Sequence, residues 1–221
     1  MGEKPVLGYW KVRGFAHSIR FLLKYLNVEF EDKYYGFSSP PDDYRKEWRE
    51  THRPTLQLDF PNIPYWIDGE VRMTESIPIL RQIARKYGKE LVPSDSSTQW
   101  RVEMVESYIV DILISLHRLM YFYNDQLYQD FLKEQLPKFQ KLQEFIGDNK
   151  WLLGSNLTYL DFLLYETLYQ HTVLKADIFQ DLPRLTQHIS EFEALPAISN
   201  YLSSPDFLKG PVITPGAKLK I

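Results

Sequence analysis

The sequence predicts an α/β domain followed by an all-helical one, and three observations carry that prediction. Short strand-like runs, turns and two helical patterns are confined to residues 1–86. After Pro93 no further clear strand occurs, and apolar residues recur at helical spacing instead. Between the two lies Lys86-Tyr87-Gly88-Lys89-Glu90-Leu91-Val92-Pro93-Ser94, punctuated as a linker by its Gly and Pro. The chain has 221 residues, which at roughly 150 residues per domain suits one domain or two compact ones. The division expected is 1–86 and 94–221.

In chain order, Val6-Leu7-Gly8-Tyr9-Trp10 reads as a strand that ends before a turn at Gly14. Ile19, Leu22, Leu23 and Leu26 then share one face of an amphipathic helix over about 16–26. Val28 to Tyr35 is the second strand, which completes a βαβ unit. A polar loop, Ser38-Ser39-Pro40-Pro41-Asp42-Asp43, follows. Pro64 to Ile67 and Val71 to Thr74 flank the turn pair Asp68-Gly69, a strong hairpin signal. Ser76 opens the next helix as a candidate cap, with Pro78 in the first turn, where a missing donor costs little. Beyond the linker, Val102, Val105, Ile109, Ile112, Leu116 and Leu119 form a heptad-like seam on one long helix. Further helices fit 127–147, 158–172, 183–194 and 196–203. Thr158 stands three residues before Asp161, a capping-box pattern with Asp in place of Glu.

Composition excludes several function classes. The chain is 44% hydrophobic and 25% charged with net charge −3, so no basic excess is available for a broad nucleic-acid surface. It contains no cysteine, which removes disulfides, thiolate metal sites and any cysteine nucleophile of its own. No run of about eighteen apolar residues predicts a membrane span. Gly2 is not expected to be myristoylated, because Val6 occupies the position where that motif wants Ser or Thr. The expected location is the cytoplasm.

His17, His52, His117, His171 and His188 are too scattered for a metal site and read as surface or half-buried residues. No metal or cofactor is expected. No GxSxG, Walker loop or GxGxxG occurs. Three signals remain. Tyr9 closes the first strand, the end of an open α/β sheet where ligands bind, and its hydroxyl can donate to an anion. Its ordinary alternative is aromatic core packing. Pro64, just before a strand, is a candidate cis residue that would turn the backbone of Ile63 outward toward a peptide-like ligand. A trans strand-entry proline is the alternative. Glu75-Ser76 lies at a helix N-terminus, where free N–H groups favour a carboxylate and Glu75 suits an ammonium. Simple capping is the alternative there. Together they describe a site for a small extended molecule with a peptide backbone, an amino-acid end and an anionic centre beside a tyrosine.

The stretches LGYWKVRGFAHSIRFLLKYLNVEFEDKYY and LDFPNIPYWIDGEVRMTESIPILRQIARKYG resemble the N-terminal domain of cytosolic glutathione S-transferases of the mu class. GSNLTYLDFLLYE and FEALPAISNYLSS in the helical half agree, so the resemblance covers nearly the whole chain. The longer loop 36–47 before Trp48 matches the mu type. The resemblance implies a thioredoxin-like domain, an all-α domain, a homodimer, and glutathione as a cosubstrate conjugated to small hydrophobic electrophiles. It implies Tyr9 as the catalytic tyrosine, with Trp10, Arg45, Trp48, Asn62, Ile63, Glu75 and Ser76 at glutathione-binding positions. It implies Asp111 as the residue that reaches glutathione in the neighbouring subunit, and Phe60 as the aromatic key in the partner. Val12, Phe15 and Tyr121 fall on the electrophile pocket, which Ile213 and Thr214 of the tail could close, although such a tail is more often surface.

Two departures from the mu pattern stand out. Glu75 replaces a glutamine, so the γ-glutamyl ammonium would meet a carboxylate. The segment ETHRPTLQLDF replaces the one that carries the usual lysine for the glycine carboxylate. Arg53 is the better-placed substitute, and His52 the alternative. Non-catalytic carriage of apolar ligands and glutathione-dependent isomerisation are the alternative functions.

Overall fold

The computed structural model describes residues 3–39, 43–93 and 95–221. Gly2, the Pro40-Pro41-Asp42 part of the polar loop and Ser94 of the linker lie outside them. A four-stranded mixed sheet has the order β2-β1-β3-β4. Strand β1 (Val6–Trp10) runs parallel to β2 (Glu31–Tyr35), with Val6 opposite Glu31 and Trp10 opposite Tyr35. Strand β3 (Tyr65–Asp68) pairs antiparallel with β1 on its other side, and β4 (Val71–Thr74) pairs antiparallel with β3. Helix α1 (His17–Tyr25) makes the βαβ crossover and α2 (Ser76–Tyr87) follows β4.

Two local expectations shift. Strand β2 starts at Glu31 instead of Val28. The Val28 N–H is taken by the Leu23 carbonyl at 3.0 Å, and ladder bonding begins where Glu31 N donates to Pro5 O at 2.8 Å. The hairpin turn is Gly69-Glu70 and not Asp68-Gly69, since Asp68 still pairs with Val71 and Gly69 takes the positive φ of 62°. The buried Asp68 carboxylate accepts from Lys86 Nζ at 2.6 Å and Tyr87 Oη at 2.7 Å, which ties the hairpin to the end of α2.

The second half is helical: α3 (Gln99–Phe122), α4 (Asp125–Ile146), α5 (Tyr159–Leu174), α6 (Pro183–Glu193) and α7 (Pro196–Leu202). The whole predicted seam of α3, Val102 to Leu119, is buried. Helix α4 begins two residues earlier than its apolar pattern, because Asn124 Oδ1 accepts from Leu127 N at 2.8 Å and caps it. Helix α5 is buried along most of its length. Its expected cap is present: Asp161 Oδ2 accepts from Thr158 N at 2.8 Å, and Oδ1 accepts from Leu152 N at 2.8 Å. Burial pushes the Asp161 carboxyl up to about 6 against those bonds.

One continuous core joins both halves, from Leu7, Phe21, Trp66 and Ile79 to Ile109, Leu160 and Phe192. The histidines depart from expectation: His17, His117, His171 and His188 are all buried. Periodicity alone does not reveal this, because each imidazole is enclosed by aromatic and helical neighbours from other elements. His17 stands edge-on to Phe21 at 4.8 Å, and His171 edge-on to Phe139 at 4.9 Å. The tail is not surface either, for Ile213 and Thr214 are each only 5% exposed. Its backbone is bonded to the loop after β1, with Arg13 N and Gly14 N donating to Pro211 O and Val212 O, each at 2.9 Å.

Candidate active site

Tyr9 is the penultimate residue of β1, and its ring is buried with Trp10, Trp48, Tyr35 and Tyr65. The next residues fold back over it. Gly14 adopts φ +45°, and a Cβ there would sit 2.5 Å from the Tyr9 hydroxyl, so only glycine leaves that oxygen its place. The hydroxyl accepts from Phe15 N–H at 3.2 Å. Burial raises its pKa, with the Phe15 bond and the nearby Arg20 charge acting in the opposite sense. Tyr9 therefore stays protonated near neutral pH and has its own proton to donate.

Buried polar residues hold the loop that aligns this hydroxyl. Arg13 Nε donates to Glu166 Oε1 at 3.0 Å and a second guanidinium nitrogen to Oε2 at 2.5 Å. Gln170 Nε2, on α5, donates to Glu166 Oε1 and to Gly14 O, both at 2.8 Å. Arg20 reaches Val12 O at 2.9 Å. Val12 is buried, and the Phe15 ring lies 4.2 Å from that of His117.

Two cavities adjoin Glu75. One, of about 540 Å³, is lined by Trp48, Arg53, Asp59, Phe60, Pro61, Asn62 and Glu75. The other, of about 330 Å³, runs from Phe15 past Asn62, Ile63 and Ser76 to Val110, Leu113 and Ile114 of α3. The Ile63–Pro64 bond between them is cis. Glu75 takes φ 74°, and Asn62 Nδ2 donates to its Oε1 at 3.3 Å. The expectation that Ser76 caps α2 is not met. Ser76 is the first helical residue, Glu75 holds the cap position, and among the described residues no side-chain cap bond is made there. The leading N–H donors of the helix stay available at the positive end of its dipole.

The remaining expected residues divide. Trp10 and Trp48 pack with ring centroids 6.2 Å apart. Arg53 lines the larger cavity, whereas His52 faces Glu47 at 3.3 Å and the Tyr35 ring at 4.9 Å. Arg45 is exposed and bonds to Asp43, its backbone N–H at 2.9 Å from Oδ1. Asp111 is absent from the lining of both cavities and accepts from Lys138 Nζ at 2.5 Å. Phe60 is 80% exposed. Tyr121 is half-buried, its hydroxyl 2.7 Å from Thr214 Oγ1, and burial pushes it up to about 12. Sequence reasoning missed Tyr44, whose ring stands 6.2 Å from Trp10. It also missed the buried pairing of Arg13 with Glu166, whose partners are 153 positions apart.

The chain matches the glutathione S-transferase N-terminal domain model over residues 5–85 and the C-terminal domain model over 111–205. It is 40% identical to a glutathione S-transferase of Tyrophagus putrescentiae, over 96% of each chain. It is 39% identical to glutathione S-transferase Mu 1 of Bos taurus, over 94% of each. The chain belongs to the glutathione S-transferase family. Among solved structures, this transferase superposes on the glutathione S-transferase Blo t 8 with a TM-score of 0.86 at 35% identity, covering 97% of this chain and 99% of that one. Mu-class proteins of Mus musculus and Homo sapiens, each 38% identical, extend the same likeness. In this transferase one cavity joins Phe15, on the loop after β1, to Glu75 and Ser76 at the start of α2.

Proposed function

We propose that this transferase ionises the thiol of glutathione with Tyr9 and conjugates it to small hydrophobic electrophiles. The observation that carries the reading is the Tyr9 hydroxyl, which accepts from Phe15 N–H and keeps its own proton free. A free thiol has a pKa of roughly 8.5, so a few per cent is thiolate near neutral pH. A hydroxyl bond to the sulfur favours the anion, and a charge-assisted bond contributes about 1.5–3 kcal/mol, or roughly one to two pKa units. Held beside the electrophile, the thiolate attacks carbon within one site instead of by a two-body encounter.

The binding roles follow the cavity chemistry. The uncapped N–H groups of α2 and Ser76 suit the γ-glutamyl carboxylate, and Glu75, steadied by Asn62, suits its ammonium. The backbone of Ile63 serves the peptide portion. Trp48 walls the cavity, and Arg53 suits the glycine carboxylate at its rim, since His52 is engaged elsewhere. Arg45 supports the outer edge, while Trp10 backs Tyr9. Val12, Phe15 and Tyr121 line the electrophile side. In this division residues 1–86 supply most of the glutathione site, and 94–221 the electrophile pocket and the subunit contact.

A homodimer is the proposed assembly. Phe60 stands out from its loop, and Trp100, Met104 and Ile114 expose apolar surface on α3 around Asp111. A second copy would cover these groups and bring Asp111 toward its partner's glutathione. The proposed setting is the cytoplasm, where glutathione is kept reduced. Among the described residues, no helix is long and apolar enough to cross a membrane.

Tyr9→Phe is the test. Turnover of an activated aryl halide at pH 7 is expected to fall about 10- to 100-fold with glutathione affinity changed little, matching the lost bond. The bound thiol, titrated by thiolate absorbance, should ionise at higher pH. Unchanged turnover would remove Tyr9 from this role, and no wild-type rate above buffer would make the chain a carrier.

A further inference from the structure

A cavity of about 760 Å³ lies at the β2 edge of the sheet, and it is larger than either cavity beside Glu75. It shares no lining residue with those two. Its walls come from the end of α1, the segment leading into β2, α7 and the chain just after α7. Phe30, Tyr34, Tyr201 and Phe207 supply aromatic lining. The volume falls within the roughly 300–1,000 Å³ of small-molecule sites, which pair such lining with a few fixed polar groups.

Tyr201 is one such group. It is 5% exposed, and its ring is pinned 5.5 Å from Phe21, 5.3 Å from Phe207 and 6.2 Å from His17. Its hydroxyl makes no hydrogen bond among the described residues and is not sealed from the cavity that Tyr201 lines. Burial pushes its pKa up to about 12, so it carries a proton to donate.

The charges around the cavity decide the sign of a ligand. Asp206 is paired with Lys24 at 3.2 Å, Glu29 with Lys4 at 4.0 Å, and Asp32 with the buried Arg20 at 2.8 Å. Asp32 also accepts from the Tyr34 hydroxyl at 2.7 Å. Its other oxygen and Arg20 Nη2 are unbonded but sealed from solvent, so neither addresses a ligand. Protein cations already stand over the rings, Lys24 at 5.4 Å from the centre of Tyr201 and Arg20 at 5.2 Å from that of Tyr34. Lys11 is exposed and has no carboxylate within 4.0 Å among the described residues; its Nζ stands 5.9 Å from the Tyr34 ring centre. A cationic ligand would find every carboxylate of the cavity already paired, whereas an anion finds Lys11 free.

We infer that this cavity is a second ligand site, for hydroxyaryl carboxylates, separate from the glutathione cleft. The carboxylate pairs with Lys11, the flat ring system packs among Tyr34, Tyr201 and Phe207, and the Tyr201 hydroxyl donates to the ligand's hydroxyl oxygen. One net negative charge matches the one cation of the cavity that lacks a counter-charge. No part of this depends on how Tyr9 acts.

The probe is 6-hydroxy-2-naphthoate, titrated calorimetrically into the whole chain with and without saturating S-hexylglutathione. One equivalent is expected to bind in both cases, with affinities within about twofold. Lys11→Met should weaken binding by up to about 5-fold, the scale of an exposed ion pair. Tyr201→Phe, which keeps the ring and removes only an unbonded hydroxyl, should weaken it by about 5-fold, the scale of one neutral hydrogen bond. 2-Naphthoate, which lacks the hydroxyl, should bind wild type about 5-fold more weakly than the probe and should not distinguish wild type from Tyr201→Phe. No binding at millimolar probe, displacement of the probe by S-hexylglutathione, or an affinity that either variant leaves unchanged overturns the assignment. A failure of the Tyr9 reading would show in the thiol titration and leave these affinities where they are.

Discussion

The pairing of Arg13 with Glu166 offers the sharpest test of how this fold holds Tyr9. Both side chains are buried, at 0% and 1% exposure. Besides its two bonds to Glu166, Arg13 donates to Leu208 O at 3.1 Å and stacks 4.0 Å from the centre of the Tyr169 ring. Glu166→Gln leaves a buried guanidinium without its counter-charge, and Arg13→Met leaves a buried carboxylate. Breaking a buried pair from one side costs about 3–5 kcal/mol, whereas replacing both partners by apolar groups of similar volume is often close to neutral. At roughly 2–4 °C per kcal/mol for a chain of this size, each single variant should melt about 6–20 °C lower. The Arg13→Met/Glu166→Leu double variant should recover much of that loss. Equilibrium urea unfolding at fixed protein concentration, cast as a double-mutant cycle, measures the coupling. A catalytic readout accompanies it. Arg13 and Gly14 hold the loop whose Phe15 N–H aligns the Tyr9 hydroxyl, so the folded single variants should lose kcat more than they raise the KM for glutathione. Losses below about 1 kcal/mol, or single losses that simply add in the double variant, would refute the reasoning.

Other expectations follow from the same geometry. His117 and His171 are held down to about 4 and His188 to about 3, all mainly by burial, and His17 is lowered likewise. Their folded pKa values lie below the ordinary 6.5 or so, so the stability they contribute is present above that pH and lost as pH falls toward 4. Asp161, raised to about 6, runs oppositely: its contribution is lost as pH rises through about 6, which offsets one histidine. With four histidines lowered against one carboxyl raised, unfolding takes up protons between pH 4 and 6, and stability falls with acidification there. A urea midpoint that does not move between pH 6.5 and 5 would contradict this. Glu75→Ala should raise the KM for glutathione by up to about 5-fold, the scale of an exposed ion pair. It should also abolish discrimination against a glutathione analogue lacking the amino group, and retained discrimination would place the ammonium elsewhere. For Phe60→Asp, sedimentation at micromolar concentration should show a shift toward monomer. A buried phenylalanine removes about 150–250 Å² from water, worth roughly 4–6 kcal/mol, and an unchanged profile would exclude Phe60 from the contact.

The local devices were legible in the sequence because each obeys a short-range rule. The α3 seam, the Gly69 hairpin, the Thr158 and Asp161 cap and the position of Tyr9 at a strand end all depend on spacings of a few residues. Ser76 was misread as a cap because the motif does not say which of two adjacent residues adopts the non-helical backbone, and Glu75, at φ 74°, does. The four buried histidines were misread because burial is decided by what packs above a residue, not by its own periodicity.

By itself, then, the sequence determined the two-part architecture and the place of Tyr9 near the end of β1. The absence of cysteine likewise requires that any reactive sulfur arrive with the ligand. Only the tertiary structure decided that Arg53 and not His52 borders the cavity, that Asp111 pairs with Lys138 and lines neither cavity, and that the tail packs on Tyr44 and Tyr121. These contacts join residues far apart in the chain, such as Gly216 with Tyr44 and Glu166 with Arg13. Hydrophobic periodicity encodes which face of an element turns inward, but it does not encode which distant side chain that face will meet.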